Sequence, residues 1–335
     1  MRIKRENRLV ARNFYTRRAE KSREKLNDML GDAEIMNQKI SIVGVPCDYG
    51  QQRRGVDMGP SAIRYAGVQQ RLIDLGYEVE DEGNIQVIVG DAADQKDEKL
   101  LNLEEVINVN TALAEKVFNV VKKDYIPLVL GGDHSIAIGT LAGLSMKYKN
   151  LGVIWFDAHA DLNTPETTPS GNIHGMPLAT SIGLGHERLT SILHAEPKIK
   201  AENIVIIGGR SIDEGERGLI KTRGIKIYTM HEIDRLGMTY VMEETLKYFN
   251  QLQVDGLHLS LDLDALDPLY TPGVGTPVAG GITYRESHLA MEMIQESGLM
   301  TSAEFVEVNP ILDERNKTAD VAVALIGSLF GETLV

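Results

Sequence analysis

The sequence predicts a single three-layer α/β/α domain with a central parallel sheet. From residue 39 onward, short runs rich in valine, isoleucine and leucine alternate with longer amphipathic stretches. The short runs are too apolar for strands with one face in solvent, which is typical of parallel strands buried on both faces. Because no repeat, low-complexity tract or linker interrupts residues 37–335, we expect one domain.

Seven short runs are predicted as the strands of this sheet. In chain order they are ISIVGVP, IPLVLGG, GVIWFDAH, NIVIIGGR, IKIYTM, LHLSLDLD and TSAEFVEVNP. SAIRYAGVQQRLIDLG is predicted as a helix, and Pro60 suits its first position, where a missing N–H costs nothing. LNLEEVINVNTALAEKVFNVVKK is predicted as a second helix with one apolar face. The residues of that face are Val106, Val109, Leu113, Val117 and Val120.

Residues 1–36 differ from the rest of the chain because they are strongly basic and contain few large apolar residues. We interpret them as an extension outside the folded domain. The extension is either disordered or not part of the native chain, in which case translation starts at Met36. A basic arm that binds RNA or an anionic surface is a third alternative.

Composition excludes several classes of partner. The net charge of −13 argues against nucleic acid as the main partner. No apolar run is long enough to span a bilayer, and the charged N-terminus does not resemble a secretory signal, so no membrane partner is expected. Cys47 is the single cysteine, which excludes an intramolecular disulfide and predicts a cytoplasmic location with Cys47 as a small buried hydrophobe.

Acidic and imidazole side chains collect where the predicted strands end. They are Asp133, His134, Asp157, His159, Asp161, Asp262, Asp264, Asp267, Glu304 and Glu307. Ligands of parallel α/β sheets bind outside the carboxyl ends of the strands. Residues two apart in extended chain point to one side, so Asp157, His159 and Asp161 converge if their strand continues that far.

Several of these side chains are predicted to hold cations. Clustered carboxylates raise one another's pKa unless positive charge lies between them, so four aspartates and two histidines imply bound ions. Oxygen-rich ligation with one imidazole per ion favours Mn²⁺ over Zn²⁺. Asp267 is instead predicted in a turn because Pro268 follows it, and His258 is predicted as a core imidazole. Four other histidines are not close in sequence to an acidic strand end; they are His186, His194, His231 and His288.

The motifs GGDHS, DAHADLNTPETTPSGNIHGMP, SLDLDALDP and EVNP occur in this order, after GVDMGPSAIRYAG. Together they resemble the ureohydrolase (arginase/agmatinase) family, most closely its bacterial arginases, from residue 40 to the end. The resemblance implies the fold predicted above, with residues 37–335 as the catalytic domain. It also implies hydrolysis of L-arginine to L-ornithine and urea by a hydroxide bridging two Mn²⁺ ions, in a homotrimer or homohexamer. Residues 1–36 have no counterpart in the family pattern, and Gly209 stands where a bulkier residue is usual.

The resemblance also implies residue roles. One Mn²⁺ would be held by His134, Asp157, Asp161 and Asp262, and the other by Asp157, His159, Asp262 and Asp264. His174 matches a proton shuttle, Asp161 a proton relay, and Glu307 the acid that orients the guanidinium. The substrate's α-carboxylate would bind Asn163, Ser170 and Asn172, its α-ammonium would face Asp213, and Thr276 would line the cleft.

Two alternatives remain open at this point. The substrate could be another guanidino compound, such as agmatine or guanidinobutyrate. The loop NTPETTPSGNIHG favours arginine because its many hydrogen-bonding groups suit a carboxylate, although the same residues also occur in ordinary turns. An inactive metal-binding scaffold is the other alternative, and the complete set of six candidate ligands argues against it.

Overall fold

A computed structural model describes residues 38–87 and 99–333. Eight strands form one sheet, in which every neighbouring pair is parallel, in the order β2-β1-β3-β8-β7-β4-β5-β6. The strands are β1 Lys39–Val45, β2 Glu78–Asn84, β3 Ile126–Gly131, β4 Leu151–Phe156, β5 Ile204–Gly209, β6 Lys226–Thr229, β7 Gly256–Asp262 and β8 Met300–Val306. The prediction of a parallel α/β sheet is therefore confirmed.

Helices connect the strands and cover both faces of the sheet. Within the described residues they are α1 Gly59–Tyr65, α2 Val68–Asp74, α3 Leu103–Lys122, α4 Ala137–Ser145, α5 Pro177–Ser181, α6 Glu187–Thr190, α7 Glu214–Arg223, α8 Met230–Leu236, α9 Met238–Leu252, α10 Tyr284–Ser297 and α11 Lys317–Leu329. The five predicted apolar residues of α3 are all buried, as its sequence pattern requires.

The central strands are buried on both faces, as their composition predicted. Ile154 and Phe156 of β4 pack into one apolar core, while Val153 and Trp155 pack into a second core on the opposite face. Successive side chains of a strand point to opposite faces, so both cores are filled by the same short apolar run. This is the physical basis of the three-layer arrangement.

Two elements differ from the predictions. The β2 sequence EVEDEGN was not predicted as a strand, because it is polar and lies at an edge of the sheet, where it pairs only with β1. The single helix predicted after Gly59 is two helices, α1 and α2. Gly67 separates them with φ of +92°, a backbone conformation that glycine adopts without steric cost.

The order of the strands brings distant parts of the chain together. The last two strands, β8 and β7, lie between β3 and β4. The carboxyl ends of these four neighbouring strands lie side by side. Asp133-His134, Asp157, Asp262 and Glu307 lie at or just after those ends and are therefore brought together. Among the described helices, none is long and apolar enough to cross a membrane. The interpretation of residues 1–36 lies outside the described residues.

Candidate metal centre

Two groups of carboxylate and imidazole side chains meet at the ends of β3, β4 and β7. In the first, His134 Nδ1 lies 3.1 Å from Asp157 Oδ2, 3.1 Å from Asp161 Oδ2 and 3.3 Å from Asp262 Oδ2. In the second, His159 Nδ1 lies 3.3 Å from Asp157 Oδ1 and 3.2 Å from Asp264 Oδ2. Asp157 thus takes part in both groups, with one carboxylate oxygen in each.

Local turns, rather than an extended strand, bring the ligands of β4 together. β4 ends at Phe156, so the strand does not continue to Asp161, whose φ of +51° is left-handed. The Asp157 carboxylate accepts the His159 N–H at 2.7 Å, and the Asp262 carboxylate accepts the Asp264 N–H at 2.7 Å. Convergence therefore depends on two aspartate turns placed at neighbouring strand ends.

The pKa shifts of these side chains reflect the negative charge that is concentrated in the site. Burial and then repulsion from Asp264 and Asp157 raise the pKa of Asp262 well above its ordinary range. Burial and the charge of Asp157 raise the pKa of Asp161 to about 6. Burial lowers the pKa of His134, but the carboxylates around it outweigh burial, and the net shift is upward. Without other positive charge, the site must take up protons.

The donors fit divalent cations. His134 Nδ1 is buried and makes no hydrogen bond, although three carboxylate oxygens surround it. An orphaned imidazole nitrogen facing anionic oxygens is the arrangement expected when their common partner is a metal ion. His134, Asp157 and Asp262 form one cluster of metal-ligand geometry, and Asp157, His159 and Asp264 form another.

Neighbouring side chains hold these ligands in place. The indole of Trp155 stacks on the His134 ring, with centroids 4.0 Å apart and planes 4° apart. The same indole donates its N–H to Asp157 Oδ2 at 2.9 Å. Thr276 donates its hydroxyl to Asp264 Oδ2 at 2.9 Å. The orientations of His134, Asp157 and Asp264 are therefore set by a ring contact or a hydrogen bond from outside the ligand set.

A cleft of about 570 Å³, which includes solvent at its mouth, lies above the two clusters. Its lining residues are His159, Asp161, Asn163, Thr168, Pro169, Ser170, Asn172, His174, Gly175, Ser211, Asp213, Glu216, Asp262 and Thr276. All five residues predicted only for substrate binding therefore line one cleft, together with the predicted proton shuttle.

Glu307 lies buried beside this cleft and is held by three donors. Its Oε1 accepts the His134 backbone N–H at 3.0 Å and lies 3.0 Å from His174 Nδ1. Its Oε2 accepts Gln51 Nε2–H at 2.8 Å. Burial lowers the pKa of His174, but the Glu307 carboxylate outweighs burial and raises it to about 9. Glu307 and His174 thus form a hydrogen-bonded ion pair.

Comparison with known proteins agrees with this arrangement. A family model described as the arginase family matches residues 38–331. The chain belongs to the arginase family. It is 65% identical to an arginase of Bacillus caldovelox over 297 residues, which are 88% of this chain and 99% of that protein. It is 63% identical to an arginase of Bacillus subtilis (strain 168) over 300 residues, or 90% of this chain and 100% of that one.

Solved arginase-family structures share the fold. The native Bacillus caldovelox arginase at pH 5.6 aligns with a TM-score of 0.87 and 64% identity, covering 89% of this chain and 100% of the other. An Entamoeba histolytica arginase solved with L-ornithine aligns with a TM-score of 0.82 and 37% identity, covering 88% and 99%. The prediction of an arginase-type three-layer fold is therefore confirmed.

Several predictions for individual residues outside the metal clusters are also confirmed in this arginase-family chain. Cys47 is buried and unpaired. Asp267 lies in a turn, where it accepts the N–H groups of Leu269 and Gly280. His258 is a fully buried core imidazole.

Sequence reasoning missed the residues that position the arginase-family motifs. Gln51 follows β1 and reaches Glu307, so the rule that ligands bind at strand ends could have identified it. Glu216 accepts the N–H of Leu162 at 3.0 Å and of Asp213 at 2.8 Å, which ties the metal loop to the start of α7. No sequence pattern signals the contact between Glu216 and Leu162, because it joins residues 54 positions apart.

Proposed function

We propose that this protein hydrolyses L-arginine to L-ornithine and urea. The observation that carries the proposal is the pair of clusters that share Asp157 beneath a cleft lined by polar side chains. The arginase-family sequence and fold support it. An inactive scaffold is disfavoured, because all six candidate metal ligands are present and they converge.

Two divalent cations fit this site, and we propose Mn²⁺. The first would be held by His134, Asp157, Asp161 and Asp262, and the second by Asp157, His159, Asp262 and Asp264. Oxygen donors with one imidazole per ion favour Mn²⁺ over Zn²⁺. Once bound, the ions would supply the nucleophile for the guanidinium carbon by lowering the pKa of a water molecule.

Glu307 would orient the guanidinium through its second oxygen. A carboxylate oxygen accepts about two hydrogen bonds, and Oε1 already has two donors. Oε2 has one donor, Gln51, and so keeps capacity for one guanidinium N–H. A charge-assisted hydrogen bond of this kind is among the stronger ones in proteins, and it would fix the position of the carbon that reacts.

His174 and Asp161 would move protons. The leaving amine needs a proton, and Asp161 lies in the cleft at the edge of the first cluster. The His174 side chain is 16% exposed in the same cleft, so it can exchange protons with solvent while Glu307 holds its Nδ1.

The loop from Asn163 to His174 would select arginine over agmatine. Asn172 and Ser170 line the cleft, where the Asn172 amide N–H and the exposed Ser170 hydroxyl can donate to a carboxylate. Asn163 donates its amide to Asp213 Oδ2 at 2.8 Å, so the predicted carboxylate and ammonium subsites adjoin each other. A site built to pair polar groups rejects a substrate that lacks them.

The test is urea release from equal concentrations of L-arginine and agmatine, with Mn²⁺ and with a metal-stripped control. Metal-dependent urea from arginine alone is the expected result. Urea mainly from agmatine would preserve the metal centre but contradict the assignment of Asn163, Ser170 and Asn172. Absence of urea from both compounds would contradict the proposed activity.

The proposal includes a homo-oligomer, either a trimer or a hexamer, which the family relationship supports. Light scattering on the purified protein distinguishes these two assemblies from a monomer. The proposal also includes a cytoplasmic location, which the single, buried Cys47 supports.

A further inference from the structure

A chain of buried polar side chains lies behind His134, on the opposite side of its ring from the carboxylates. Ser260 and Glu304 are paired across β7 and β8, and so are His258 and Ser302. All four are fully buried. Nothing in the proposed reaction uses them, although a buried carboxylate is costly to desolvate.

The contacts run in one line from the metal ligand to a carboxylate. His134 Nε2 lies 2.8 Å from Ser260 Oγ. Ser260 Oγ donates to Glu304 Oε1 at 2.7 Å. His258 Nε2 lies 3.4 Å from the same oxygen, and its Nδ1 lies 2.9 Å from Ser302 Oγ. His258 is thus the imidazole that faces Glu304 on the side away from His134.

Counting protons along this line determines which nitrogen of His134 is free. Burial raises the pKa of Glu304, but His258 outweighs burial and the net shift is downward, so the carboxylate only accepts. Ser260 has one proton and donates it to Glu304, so its oxygen must accept from the Nε2–H of His134. In the neutral imidazole, which is the form that binds a metal ion, the Nδ1 lone pair then faces Asp157, Asp161 and Asp262.

We propose that Glu304, acting through Ser260, is a positioning residue that holds the His134 ring by its Nε2–H and so aims Nδ1 at a cation. The inference rests on the metal centre of the proposed function. A metal-bound imidazole commonly donates its other N–H to an acceptor that fixes its tautomer and orientation. Here a serine hydroxyl extends the connection to a carboxylate on the next strand.

The experiment is a titration of the metal-free full-length chain with Mn²⁺, followed by electron paramagnetic resonance. Wild-type protein is expected to bind two ions. Ser260→Ala removes the acceptor for Nε2–H and should weaken one of the two ions by about 10–100-fold. Glu304→Gln keeps the shape of the side chain but removes its charge. It should weaken the binding of the same ion by about tenfold, near the lower end of that range.

Thr245→Val is the matched control. Thr245 lies on α9. Its hydroxyl is buried like that of Ser260, but it makes no hydrogen bond. The variant therefore removes a buried hydroxyl away from the centre, and both ions should bind as in the wild type.

A positioning role further predicts that the urea release of Ser260→Ala recovers when the Mn²⁺ concentration is raised in proportion to the weakened affinity.

The outcomes separate the inference from the proposed function. Unchanged binding of both ions in Ser260→Ala and Glu304→Gln, with urea release intact, would overturn the positioning role alone. Equal weakening of both ions, or a similar loss in Thr245→Val, would mean general destabilisation and would also overturn it. Failure of the wild type to bind two ions would overturn both the inference and the metal centre.

Discussion

The metal clusters and the loop over residues 163–174 form the floor and the wall of one cleft, but their side chains are held differently. Asp157, in the floor, is buried, accepts the His159 N–H and receives the indole N–H of Trp155. In the wall, Ser170 is exposed, and its oxygen accepts the local Asn172 N–H at 3.2 Å.

This difference separates the residues proposed for the reaction from those proposed for recognising the substrate. The floor is built on central strands, where burial strengthens electrostatic interactions and leaves little freedom to rearrange. The wall is a turn-rich loop stabilised by its own hydroxyls, such as Thr168, which accepts the Gly171 N–H at 2.9 Å. Substitutions in the floor should therefore cost far more activity than substitutions in the wall.

The largest effect is expected from Asp157→Asn, which removes a charged ligand from both clusters at once. Several kcal/mol of transition-state stabilisation depend on the ions, so urea release should fall by roughly 10³-fold or more. Steady-state kinetics with Mn²⁺ content measured on the same sample check this. Near-normal turnover with two ions bound would contradict the shared role of Asp157.

Glu307→Gln is expected to lower kcat/KM for arginine by roughly 10²-fold. The variant keeps the size of the side chain but removes the charge that pairs with a guanidinium and with His174. Its Mn²⁺ content should equal that of the wild type, since Glu307 is not a proposed ligand. Wild-type kinetics in this variant would mean that the guanidinium binds elsewhere.

His174→Asn tests the proposed proton shuttle, which is the last residue of the loop and contacts Glu307. Turnover should fall by about 10–100-fold, because a positioned proton donor is lost while both metal clusters are intact. The rate measurement is paired with a metal analysis, which should show no change. If turnover is unaffected, protons reach the leaving amine by another route.

Asn172→Ala is expected to have the smallest effect and the most selective one. Loss of one hydrogen bond to the substrate's α-carboxylate should raise KM for arginine by about tenfold. Any residual turnover of agmatine, which has no such carboxylate, should equal that of the wild type. Thr190→Ala, in the surface helix α6, is the control. Equal losses for arginine and agmatine would show that Asn172 supports the fold of the loop instead.

Much of the fold and of the site could be predicted from particular residues. The apolar runs of β4 and β7 identified strands buried on both sides, and the acidic motifs after them identified the candidate ligands. The strand β2 could not be predicted, because an edge strand needs no apolar pattern. The break at Gly67 was equally hidden, since an isolated glycine is compatible with a helix.

The sequence by itself determined the fold class, the six candidate ligands and the oxygen-rich character that favours Mn²⁺, because hydrophobic periodicity and donor chemistry are local properties. Only the tertiary structure decided that Gln51 holds Glu307 and that Ser260 connects His134 to Glu304. These contacts join residues from different strands, and their geometry depends on the sheet order, which places β8 and β7 between β3 and β4.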